Sequence, residues 1–130
     1  MIYLDSSALV KLVFEEPESN ALAAWLSDRG SESRASSALA SVEVLRTCRQ
    51  IDPVAMWLAE RIIGGLDLVP LDAEIIDAAG ILEPTALRSL DALHLAAASS
   101  VAPALSAFVS YDARLNEAAG AVGLPVASPS

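Results

Sequence analysis

Ile2-Tyr3-Leu4 is apolar at every position, and Ala107-Phe108-Val109 repeats the pattern. A strand with one face in water alternates polar and apolar residues, whereas a continuous apolar run suits a strand covered on both faces. Further short strand candidates fall at 34–37, at 66–71 and after Gly123, and the segments between them have helical spacing. Short apolar strands alternating with helices predict an α/β chain: a three-layer sandwich with a mainly parallel central sheet flanked by helices.

The helices are bounded by recognisable end signals. Asp5-Ser6-Ser7 supplies cap chemistry for a helix through Ala8, Leu9, Leu12 and Val13, closed by Glu15-Glu16-Pro17. A second helix is expected over 18–29, with Leu22, Trp25 and Leu26 in register. Leu39, Val42, Leu45 and Cys48, at steps of three, predict the apolar face of a third helix, which also carries Glu43. Asp52-Pro53 opens a fourth and Gly64-Gly65 stops it. Asp72 caps a helix over 73–82, Ser89-Leu90-Asp91 opens one through Ala98 that Pro103 ends, and Asp112 caps the last, through Leu115 and Ala119. No repeat or linker divides residues 1–130, which are read as a single domain.

No segment approaches the roughly 20 apolar residues of a membrane span, so no membrane association is expected. The lone Cys48 cannot form an internal disulfide, and MIYLDSS has no basic n-region or small-residue cleavage site, so a cytoplasmic location is expected. Charge points away from nucleic acid at first sight, because seventeen acidic against eight basic residues leave a net charge of -9. Everything then depends on whether the acids are scattered or gathered.

In parallel sheets ligands bind beyond the carboxyl ends of the strands, and Asp5 and Asp112 each follow a strand. Singly, both are explained as helix caps, Glu43 as a solvated helical position and Asp91 as a first-turn acid favoured by the helix dipole. Jointly they stand apart from acids such as Glu15, Glu16 and Glu18, because each lies among apolar neighbours, where a carboxylate needs a partner. The basic residues are too few to neutralise a cluster of four, and bare carboxylates would force protons onto one another. Oxygen-only ligation suits a hard divalent cation, Mg²⁺ or Mn²⁺, and no Cys/His pattern proposes zinc.

MIYLDSSALVKL, SSALASVEVLR, LRSLDALHLA and FVSYDARL, in that order, resemble the signature blocks of PIN-domain ribonucleases, most closely the VapC-type toxins of bacterial toxin-antitoxin pairs. The resemblance covers essentially the whole chain. It implies a parallel sheet flanked by helices, Mg²⁺-dependent endonucleolytic cleavage of structured RNA such as transfer or ribosomal RNA, inhibition by a cognate VapB-type antitoxin, and homodimerisation through helices. It also implies that Asp5, Glu43, Asp91 and Asp112 are the metal-binding carboxylates. Ser6 stands where many relatives have threonine, and either hydroxyl can hydrogen-bond near a metal. Asn116, one helical turn beyond Asp112, is a possible support through water, against the plainer reading of a surface asparagine. Arg46, Arg88 and Arg114 lie two or three residues from a proposed ligand, where they favour phosphate locally or serve in structural ion pairs. A basic antitoxin segment whose arginine enters the acidic pocket is the partner that the remaining negative charge suits.

Other signals are discounted. His94 follows Asp91 by one helical turn, but its neighbours make it a packed, hydrogen-bonded core histidine rather than a base or ligand. Cys48 reads as core, Trp25 and Trp57 as helix-packing residues, and the sole lysine, Lys11, as a surface residue. A receiver-like phosphotransfer domain wants adjacent acids after an early strand and a lysine late in the chain, and a haloacid-dehalogenase-type phosphatase wants D-x-D where Asp5-Ser6-Ser7 stands. A silent binding module would have no use for four such acids.

Overall fold

Five strands pair into one sheet in the computed structural model, which describes residues 1–130. They are β1 (Ile2–Leu4), β2 (Arg34–Ser37), β3 (Asp67–Val69), β4 (Ala107–Val109) and β5 (Val126–Ala127), in the spatial order β3-β2-β1-β4-β5. Every pairing is parallel, so the sheet lacks the antiparallel edge that a mainly parallel sheet would tolerate. The chain steps outward from β1 through β2 to β3, then returns to the other side of β1 for β4. The boundary between β1 and β4, where Leu4 faces Val109, is therefore the point at which connections diverge and a crevice opens beyond the carboxyl ends.

Seven helices cover the sheet: α1 (Ser6–Val13), α2 (Ser19–Ser27), α3 (Leu39–Ile51), α4 (Met56–Gly64), α5 (Ala73–Gly80), α6 (Ser89–Ser100) and α7 (Ala113–Ala121). Period-two geometry sends Ile2, Leu4, Ala107 and Val109 into a core with α1 to α4, and Tyr3 and Phe108 into a second core with α5 to α7. Both faces of the central strands are dry, as their unbroken apolar sequences require. Caps hold several helix starts: Asp5 accepts from the Ala8 amide, Asp72 from Ile75, and Asp112 from Arg114 and Leu115. The Asp52-Pro53 start is a short 3₁₀ turn over Pro53–Ala55 before α4 begins.

Two expectations are corrected. The core stripe of α3 is Ala40, Val44 and Cys48; of the expected row, Cys48 lies in the core and Leu45 packs at its margin, but Val42 is exposed. A step of three residues falls about 60° short of a full turn, so three such steps carry a row to the far side of the helix, while steps of four drift more slowly. Trp57 is also exposed, whereas Trp25 packs against the first core and lies under the Arg29 guanidinium at 4.0 Å.

Candidate functional site

Asp5 and Asp112 leave adjacent strands. Oδ1 of Asp5 accepts the Ala8 amide at 2.9 Å and the Ser7 hydroxyl at 2.6 Å, and Ser7 in turn accepts the Tyr111 amide at 2.9 Å. One hydroxyl thus ties the exit of β1 to the exit of β4. Asp5 is buried, and burial pushes its carboxyl above the ordinary aspartate range against the opposing help of Ser110, Ser7, the Ala8 amide and the nearby His94. Asp112 spends Oδ1 on the amides of Arg114 and Leu115, at 2.9 and 3.0 Å, as the cap of α7.

Glu43 and Asp91 arrive from helices on opposite faces of the sheet. Oε1 of Glu43 accepts the Ser6 hydroxyl at 2.6 Å and lies 2.6 Å from Nε2 of His94. Partial burial alone would raise its carboxyl, but the bonds from His94 and Ser6, with the charge of Arg88, hold it below the ordinary glutamate range. Asp91, in the first turn of α6, is met by Arg88, whose Nε donates to Oδ2 at 2.8 Å. The same guanidinium donates from Nη2 to Oδ2 of Asp112 at 3.0 Å. One cation thus joins two of the four acids, and its charge also reaches Glu43.

No three acid, histidine or cysteine side chains stand close enough together to ligate a single ion in this arrangement. The donor chemistry nevertheless fits a hard cation. The four groups present carboxylate oxygens only, Oε2 of Glu43 and Oδ1 of Asp91 take no hydrogen bond from the chain, and the gap between Asp91 and Asp112 is already filled by a positive group, Arg88. That side chain is 72% exposed, so water reaches both of its ion pairs.

The remaining positions sort by contact. Ser6 touches Glu43 directly. Asn116 makes no bond to the acids; it donates from Nδ2 to the Ser110 carbonyl and the Ser128 hydroxyl, both at 3.0 Å, and so braces the end of β4 against the C-terminal segment. Arg114 is exposed, and beyond its backbone cap bond it lines a cavity of about 570 Å³ with Glu83, Leu87 and Glu117, outside the acid group. Arg46 is exposed on α3. Beside Glu43, an open cleft of about 430 Å³ is lined by Ser6, Ser7, Lys11, Thr47 and Tyr111. Lys11, expected at the surface of the first helix, is largely covered: its ammonium is held by Glu18 at 2.7 Å and Glu16 at 3.5 Å, over the Tyr111 ring. The only lysine is thus committed elsewhere, and the receiver-like alternative lacks the cation it needs. His94 is buried as expected, yet its partner is one of the four acids, a pairing across 51 residues that no local pattern announces.

Comparison with known proteins follows this geometry. Residues 2–121 match the PIN domain family. The chain is 48% identical to ribonuclease VapC35 of Mycobacterium tuberculosis over 99% of its own length and 97% of the relative's. It is 44% identical to ribonuclease VapC46 of the same organism, over 99% of this chain and 98% of that one. Among solved structures, a chain of VapBC2 from Rickettsia felis, bound to a DNA fragment from their promoter, superposes with a TM-score of 0.74 over the whole of both chains at 14% identity, a likeness of fold.

Proposed function

The chain belongs to the PIN-domain family, and from that premise we propose that it is the endoribonuclease toxin of a VapBC-type toxin-antitoxin pair, cutting structured RNA such as transfer or ribosomal RNA with Mg²⁺, for which Mn²⁺ can substitute. The observation that carries the reading is the Arg88 guanidinium bridging Asp91 and Asp112 beyond the carboxyl ends of the adjacent strands β1 and β4, from which Asp5 and Asp112 leave.

Asp5, Glu43, Asp91 and Asp112 would hold the ion. When bound, such an ion supplies Lewis acidity at a phosphate oxygen and an acidified water for in-line displacement. The chain's own residues prepare that chemistry. Ser7 and the Ala8 amide fix the Asp5 carboxylate, the α7 amides fix that of Asp112, and Ser6 fixes that of Glu43. Burial raises the Asp5 carboxyl pKa, so its ionised form is one that a nearby cation would stabilise. Arg88, released from Asp91 and Asp112, would be available to a phosphate of the RNA backbone, and exposed Arg114, two residues beyond Asp112, would be a second contact. Asn116 supports the site at one remove, by holding Ser110 at the end of β4.

The expected partner is a cognate VapB-type antitoxin, and the fit of Arg88 between two acids is the geometry by which an antitoxin arginine would fill the same place. We place the protein in the cytoplasm as a homodimer; no helix is long and apolar enough to cross a membrane. The test is cleavage of total RNA with Mg²⁺ or Mn²⁺, with and without chelator, for the wild type, Asp5→Asn and Asp91→Asn. Cleavage that needs the ion and is lost in both folded variants is expected; equal activity in either variant removes that residue from the site.

A further inference from the structure

A chain of hydrogen bonds runs from the middle of the sheet to Glu43. The Tyr3 hydroxyl lies 2.9 Å from Nδ1 of His94, and Nε2 of the same ring lies 2.6 Å from Oε1 of Glu43 and 3.1 Å from the Ser6 hydroxyl. The partners fix the direction. A carboxylate only accepts, so Nε2 carries the hydrogen; in the neutral ring Nδ1 is then an acceptor, and the donor is the Tyr3 hydroxyl. Each member is immobilised in turn. Tyr3 is fully buried on β1 and stacks on Phe108 with centroids 5.4 Å apart, and His94 is 2% exposed on α6.

We propose that His94 is the positioning residue for Glu43, with Tyr3 setting its tautomer, so that Oε1 is held by His94 and Ser6 while Oε2 is kept for the cation. The inference rests on Glu43 being a metal-binding carboxylate. Glu43 stands on α3, on the opposite face of the sheet from α6, so the route between the two helices runs through the sheet and a short stretch of helix-helix contact. The Tyr3-His94 link bypasses that route by joining the carboxylate directly to the central strand. It inverts the commoner arrangement in which a carboxylate orients a ligating histidine, but the principle is the same: an outer hydrogen bond fixes the orientation of a ligand and thereby its affinity.

The test is calorimetric titration of the wild type and variants with Mn²⁺ alone. His94→Leu should weaken binding by roughly 10- to 100-fold. His94→Gln, whose amide nitrogen can stand near the Nε2 position, should restore most of the affinity, and His94→Asn, too short to reach Glu43, should not. Tyr3→Phe should give a smaller loss. Folded His94→Leu with wild-type affinity overturns the proposal, as do equal affinities for His94→Gln and His94→Asn, a contrast that serves even if the leucine variant does not fold. Glu43→Gln keeps the two questions apart: wild-type Mn²⁺ binding in that variant overturns the reading of Glu43 as a ligand, whereas weakened binding there with an unaffected His94→Leu overturns only the role of His94.

Discussion

Arg88 donates from Nη2 to Oδ2 of Asp112 at 3.0 Å, joining the residue ahead of α6 to the cap of α7 across 24 positions of sequence. Because the arginine is mostly in water, the pair is screened and weak. Arg88→Met should therefore lower the melting temperature by no more than a few degrees at low salt, and by less in 1 M NaCl. Its larger effect should fall on RNA: a raised KM in cleavage assays, with the change in kcat smaller. A large, salt-independent loss of stability would show the arginine to be a structural pillar instead.

Asp5→Asn should separate stability from chemistry. The amide oxygen can still accept from Ser7 and Ala8, so the cap survives. The folded-state pKa of Asp5 lies above its unfolded value, so its ionisation opposes folding, a penalty absent below the ordinary carboxylate range near about 4 and growing as pH rises through the folded value. The asparagine variant should melt several degrees higher than wild type at pH 7 without added metal and lose that advantage toward pH 4, as scanning calorimetry would read, while RNA cleavage falls by at least about 100-fold.

Much of this was legible locally and some was not. The strand at Ile2–Leu4, the capping aspartates and the strand-end position of Asp5 and Asp112 follow from neighbours in sequence, because caps and buried strands are short-range devices. The partners of His94 and Arg88 come from elements 51 and 24 residues away, and no periodicity encodes which helix end faces which. The core stripe of α3 failed for another reason: Val42 and Val44 are equally apolar, and only the sheet decides which is covered.

Glu43 leads to the opposite pH behaviour. Its folded-state pKa is lowered, so its hydrogen bonds stabilise fully above the ordinary glutamate range and are lost as pH falls through the folded value. Ser6→Ala should cost about 1 kcal/mol in urea unfolding at pH 7, and the difference from wild type should shrink on acidification. Ser6→Thr, which keeps the hydroxyl, should unfold like wild type.

The two faces of the helical layer predict a plain contrast. Leu9→Ala empties a fully buried position and should cost about 2–5 kcal/mol. Trp57→Ser removes a larger side chain from an exposed position and should change stability by about 0.5 kcal/mol or less. Chemical denaturation of the two variants side by side checks the orientation of α1 and α4 together.

The position of β1 between β2 and β4 also sets a schedule for biosynthesis. The central strand β1 is made well before its second neighbour β4, and Asp112 follows that neighbour. Until β4 has emerged and paired, β1 keeps a bare edge and the acid group lacks a member. On the proposed ligand set, a chain that ends before β4 is expected to be inactive toward RNA, and full-length protein to gain activity only once β4 has docked.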